Sequence, residues 1–122
     1  MQLRWRNNVL ALAITVGMIP VGLSALTPPR QAATVYSGVV SDAMCGVKHT
    51  MGPSSPAACV HMCVSSGSDY ALVVGQKVYT LATKDQKQLA TLYKNAGKRV
   101  EVRGKLKGDT IAVHSVSPAR GR

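Results

Sequence analysis

The sequence predicts a small β-barrel-like α+β domain, and three observations carry that prediction. Five short segments alternate apolar with polar residues or concentrate β-branched ones. One amphipathic helical segment stands between the third and the fourth. A cysteine- and histidine-rich insert separates the first from the second. The resulting order is β-(Cys/His insert with short helix)-β-β-α-β-β after an N-terminal signal sequence. That is the order of the five-stranded OB-type barrel, whose helix stands between strands three and four. Closure is preferred to an open sheet of the same elements because a ring leaves no strand edge exposed in so short a chain.

The N-terminal residues 1–26 have the layout of an export signal. Arg4 and Arg6 form a basic region, Val9–Ile19 is an uncharged apolar run, and Pro20, Gly22 and Ser24 break it before Ala25. The run falls short of the roughly 20 residues that a membrane span needs. Read with its flank as Val9–Leu26, it makes an uncleaved inner-membrane anchor the alternative to a periplasmic or secreted protein. No cysteine directly follows the leader, which argues against a lipid anchor. Residues 27–33 contain Pro28-Pro29 and read as an extended linker, residues 34–117 as one OB-like domain, and residues 118–122 as a basic tail.

Within the domain, Thr34–Asp42 is rich in β-branched residues and predicts the first strand, with Gly38 expected at a bulge or bend. Ser55 as N-cap, Pro56 at the first helical position and Gly67 beyond the exit predict a short helix over Ala57–Ser65. Tyr70–Val74 and Lys77–Leu81 predict a hairpin about Gly75-Gln76. Thr83 and Gln86 read as a capping box for a second helix, with Leu89, Leu92, Tyr93 and Ala96 on one stripe and Gly97 at its exit. Lys98–Leu106 alternates, with Val100, Val102 and Leu106 expected inward. After the turn Lys107-Gly108-Asp109, Thr110–Val116 alternates through Ile111 and Val113.

The formal charge is +10, and +8 without Arg4 and Arg6. Lys98, Arg99, Arg103, Lys105 and Lys107 form a loose basic group that could suit a polyanion, but an ordinary solvated surface is the preferred reading. Single-stranded nucleic acid is disfavoured, because OB barrels stack bases on strand aromatics. Here Phe is absent, and Tyr36, Tyr70 and Tyr79 are the aromatics on predicted strands.

Gly38-Val39-Val40-Ser41-Asp42-Ala43-Met44-Cys45-Gly46 resembles the G-x-V-S-D-x-x-C-G signature of a family of small exported bacterial proteins with no established activity. Cys59-x-x-x-Cys63, Lys98–Gly104 and Gly108-Asp109-Thr110-Ile111 also resemble that family. The resemblance implies export and a common small OB-like β fold. It brings no catalytic residue.

Chemistry concentrates in Met44–Cys63, which holds every cysteine, His49 and His61, and Met44, Met51 and Met62. One reading is a disulfide staple. An oxidising compartment pairs cysteines, and three of them allow one bond and leave one thiol. At i, i+4 on a helix, Cys59 and Cys63 have Cβ atoms about 6 Å apart, whereas a disulfide wants about 3.8 Å. Cys45 is therefore expected to pair with Cys59 or Cys63. Closing a loop of about 15 residues contributes roughly 3 kcal/mol in the chain-entropy picture.

The other reading is a metal site. Cys45, His49, Cys59 and Cys63 make a Cys3His set suited to zinc, although the spacing matches no standard zinc-finger pattern. His61, Met44, Met51 and Met62 add soft donors that tilt the set toward copper(I). A reactive leftover thiol is a weaker reading, since C-x3-C is not the thioredoxin spacing. Ser41-Asp42 with His49 hints at hydrolysis, but no nucleophile elbow accompanies them. His114 reads as a strand residue and Asp42 as a turn former. The expectation is an exported binding or structural module without enzyme activity. Its ligand is an unidentified small molecule, a metal ion (zinc or copper) or another exported protein, and its only membrane contact would be the uncleaved N-terminal segment.

Overall fold

The computed structural model describes residues 32–49 and 55–121. The expected signal, most of the linker, and Met51 lie outside the described residues. The elements are β1 (Thr34–Asp42), α1 (Pro56–Ser65), β2 (Tyr70–Val74), β3 (Lys77–Ala82), α2 (Gln86–Lys94), β4 (Arg99–Lys107) and β5 (Thr110–Pro118). No described helix is long and apolar enough to cross a membrane.

The five strands form a mixed sheet that closes on itself in the order β1-β2-β3-β5-β4. Neighbours run antiparallel except β3 and β5, which pair in parallel through Thr80↔Thr110, Leu81↔Ile111 and Ala82↔Ala112. β1 makes the closure possible by using both edges. Its first part pairs with β4 from Thr34↔Gly104 to Val39↔Arg99, and its last part with β2 from Val39↔Val73 to Asp42↔Tyr70. Gly38 sits just before that handover. The register passes through it evenly, so it is a point of close approach and not the expected bulge: an added Cβ would run into the Val73 carbonyl and come within 2.9 Å of Leu72 Cγ.

The ring encloses Val40, Leu72, Leu81, Val100, Val102 and Ile111, with Val60 from α1 and Leu92 and Ala96 from α2 and its exit completing the core. α1 begins where Ser55 Oγ accepts from the Ala58 amide at 3.2 Å and Pro56 takes the first helical position. It ends at Ser65, and the chain turns out of it at Gly67 (φ +104°), where the Ser68 amide donates to the Cys63 carbonyl at 3.0 Å. These ends match the expected helix. α2 starts later than the expected capping box. Its N-cap is Asp85, whose Oδ1 accepts from Lys87 and Gln88 amides at 2.8 and 3.4 Å, while Thr83 Oγ1 accepts from the Asp85 amide at 3.1 Å. An aspartate carboxylate is the better acceptor at the positive end of a helix, and it displaces threonine from the cap. Gln88 then reaches β5, its Oε1 accepting from the Val116 amide at 2.7 Å.

β5 also departs from simple alternation. Arg103 pairs with Ser115 but Gly104 with Val113, so His114 is the extra residue of a β-bulge. The bulge changes the parity, and both Val113 and Val116 pack against the core. β5 runs on to Pro118, opposite Val100, past the expected end at Val116. Leu106, expected beside Val100 and Val102 in the interior, is 40% exposed near the turn that ends β4.

Candidate metal centre

The site begins at the end of β1, where Asp42 is wholly buried. Its Oδ1 accepts from the amides of Met44 at 3.1 Å and Cys45 at 2.8 Å, forming an Asx turn. The Asp42 carbonyl accepts from the Gly46 amide at 2.9 Å. Gly46 has φ +59°, a left-handed conformation that glycine adopts without steric cost, and it folds the chain back toward β1. The reversal brings the Gly46 carbonyl to 2.6 Å from Ser41 Oγ, and His49 Nε2 to 3.3 Å from the same hydroxyl.

Helix α1 supplies the other wall. Its capped start sets Cys59 and Cys63 on the buried face, at 1% and 8% exposure. The half-buried Cys45 Sγ lies 3.8 Å from Cys59 Sγ and 3.8 Å from Cys63 Sγ. A disulfide requires about 2.05 Å, so the expected bond from Cys45 to Cys59 or Cys63 is not formed. The geometry shows why the sequence leaves the partner undecided: the Cys45 sulfur is equidistant from both. Van der Waals contact among three thiols takes the place of one covalent bond and a spare.

One ligand atom each from Asp42, Cys45, His49 and Cys59 lie within 4.8 Å of one another, a group able to hold a metal ion. Cys63 adjoins this group through Cys45. Zinc–thiolate bonds of about 2.3 Å in a tetrahedron place sulfurs about 3.8 Å apart, which is the spacing seen from Cys45 to each of its neighbours. Two buried side-chain polar atoms have no hydrogen-bond partner among the described residues, Asp42 Oδ2 and His49 Nδ1, and both are on residues of this group. Buried polar atoms are ordinarily paired, so two orphans on residues of one cluster would suit a bound cation.

Burial, above all, pushes the Cys59 thiol up, with the adjoining Cys45 thiol adding to the effect. Burial, and then Cys45, pushes Cys63 up to about 12, with the Asp42 charge adding to it. At neutral pH without metal these two sulfurs therefore carry protons, which a binding ion must displace.

The remaining sequence candidates lie elsewhere. His61 stacks on Tyr93 with ring centroids 4.0 Å apart and planes 6° apart, and its Nε2 lies 2.9 Å from the Tyr93 carbonyl. That carbonyl can only accept, so Nε2 donates, and the ring ties α1 to the end of α2. Met44 is 73% and Met62 46% exposed. Lys98, Arg99, Arg103 and Lys107 are exposed and Lys105 half-buried, along β4 and just before it, with Glu101 interrupting the row. Asp42 forms the turn that the sequence predicts, and sequence reasoning did not place it among the candidate ligands, where the structure groups it with Cys45, His49 and Cys59. The turn engages Oδ1 and leaves Oδ2 without a partner among the described residues. The available signal was a carboxylate three residues before a cysteine at a strand end. No family model, curated protein or solved structure matches this chain.

Proposed function

We propose that this domain binds a thiophilic divalent metal ion, zinc foremost, at Asp42, Cys45, His49 and Cys59, with Cys63 as an adjoining sulfur donor. The observation that carries this reading is the coincidence of the two orphaned buried atoms, Asp42 Oδ2 and His49 Nδ1, with the thiol cluster. When bound, the ion supplies cross-linking. Its ligands come from the end of β1, the turn after it and α1, so it ties the insert to the ring as the sequence expected a disulfide to do. Among the described residues, the exposure of Met44 and Met62 weakens the thioether tilt toward copper(I).

Around the site we read an OB-type barrel in an exported protein, periplasmic or secreted, of the small bacterial family whose signature the chain resembles. The strand order and the parallel β3–β5 contact support the barrel reading. The domain acts as a binding or structural module and not as an enzyme, a reading supported by the wholly buried Ser41 hydroxyl, which is committed to Gly46.

The test is metal analysis of protein prepared reduced, without affinity tag or chelator, followed by titration of the metal-free form. Near-stoichiometric zinc is expected. At a hundredfold excess over the dissociation constant it stabilises the fold by about 2.7 kcal/mol, a rise in Tm on the order of 10 °C or more for a domain this small. Uptake of copper(I) in preference to zinc would favour the softer ion, and uptake of neither would end the reading.

A further inference from the structure

The hydrogen-bond chain behind His49 determines which of its nitrogens is left bare. Ser41 has one hydroxyl hydrogen. Its Oγ is 2.6 Å from the Gly46 carbonyl, an atom with no hydrogen to give, so the hydroxyl hydrogen must lie in that contact. The Ser41 oxygen then has only lone pairs for its other neighbour, His49 Nε2 at 3.3 Å. Two lone pairs facing each other in a buried site repel, so Nε2 carries the ring hydrogen. In the neutral ring that leaves Nδ1 bare. Nδ1 is the buried nitrogen without a partner among the described residues, and it belongs to the residue grouped with Asp42, Cys45 and Cys59.

We infer that Ser41 is a positioning residue which, with its hydroxyl anchored on Gly46, holds His49 as the Nε2–H tautomer and presents Nδ1 as the metal-binding atom. The inference deepens the zinc reading and rests on it for the ligand, while the tautomer itself stands on the hydrogen bonds alone. Ligand histidines characteristically donate their other N–H to an oxygen that fixes the ring. Here that oxygen belongs to a strand residue with 0% exposure, so the ring orientation is set by β1 and not by the insert. It also accounts for the order of the residues. Ser41 and Asp42 point to opposite sides of a strand by simple alternation, yet the Asp42–Gly46 turn folds the chain so that one anchors the histidine and the other the cysteine.

Long-range proton–nitrogen NMR of the metal-free, reduced protein at neutral pH reads the tautomer directly. His49 is expected to be Nε2–H with a bare Nδ1, and a hydrogen on Nδ1 would overturn the inference whatever the metal does. In protein loaded with cadmium-113, a spin-active thiophilic stand-in for zinc, metal–nitrogen coupling is expected at His49 Nδ1. Coupling at Nε2 would overturn it too. Ser41→Ala is expected to weaken zinc binding by about 10–100-fold, with Ser41→Thr, which keeps the hydroxyl, recovering most of the loss. A Ser41→Ala protein that folds by circular dichroism and binds zinc as the wild type does would count against the positioning role. If the wild type takes up no metal while His49 is Nε2–H, the zinc reading falls and the hold of Ser41 on the ring stands.

Discussion

Asp42 holds Cys45 through the backbone, its Oδ1 accepting from the Cys45 amide at 2.8 Å, while its second oxygen lies buried with no partner among the described residues. A single carboxylate thus sets the turn that positions a thiol and keeps a second, bare oxygen on a residue of the same cluster.

The two oxygens can be separated by substitution. Asp42→Asn keeps an amide oxygen for the turn but removes the negative charge, whereas Asp42→Ala removes both. Asparagine is expected to fold with a near-native melting profile and to bind zinc more weakly than the wild type. Alanine should also lose about 1–3 kcal/mol of metal-free stability, because hydrogen bonds to a buried charged group go with it. Thermal melts with zinc titrations measure both effects, and equal zinc affinity in wild type and Asp42→Asn would remove Oδ2 from the ligand set.

Cys45 is the sulfur shared by both neighbours, 3.8 Å from each. Cys45→Ser is therefore expected to weaken cobalt(II) binding, followed by its thiolate charge-transfer band, more than Cys63→Ser does. Cys63 stands beside the mutually close group and not within it. A larger loss from Cys63→Ser would show that the ligand set rearranges on binding.

The metal-free domain should weaken in alkali. Burial raises Cys63 from the ordinary 9.0 to about 12, raises Cys59, and raises the Tyr70 phenol above its ordinary 10.0. Each is an acid that keeps its proton longer when folded, so the unfolded chain releases protons first as pH rises. The stability is whole below pH about 9 and falls as pH rises toward about 12. Denaturation midpoints by circular dichroism across that range check the slope, and a flat metal-free profile would contradict it. Zinc should lessen the fall, because ligated sulfurs are already deprotonated in the folded state.

Gly38 tests the closure. Gly38→Ala would push a methyl group into the Val73 carbonyl and to within 2.9 Å of Leu72 Cγ, where β1 passes from β4 to β2. A cost of about 1–3 kcal/mol or more is expected in chemical denaturation. Gly121→Ala, which meets nothing within 4 Å, serves as the control.

Much of this was legible before folding because it is local. The bounds of β1 and α1 follow from β-branched runs, a serine cap, a proline and a terminal glycine, all of which act within a few residues. The clustering of Cys45, His49, Cys59 and Cys63 was equally visible as composition. The α2 cap was misread because Thr83 and Asp85 both satisfy capping preferences, and geometry chose between them. Alternation could not foresee the His114 bulge, since the extra residue exists only relative to the partner strand.

The sequence by itself determined the element order and the stretch where the chemistry lies, because periodicity and capping are properties of neighbouring residues. Only the tertiary structure decided which donors converge. It brought Asp42 in, led His61 away to Tyr93, and set Cys45 between two sulfurs without bonding either. The physical reason is that a ligand set is a matter of distance across the fold. The Gly46 reversal and the packing of α1 on β1 set those distances, and no spacing along the chain encodes them.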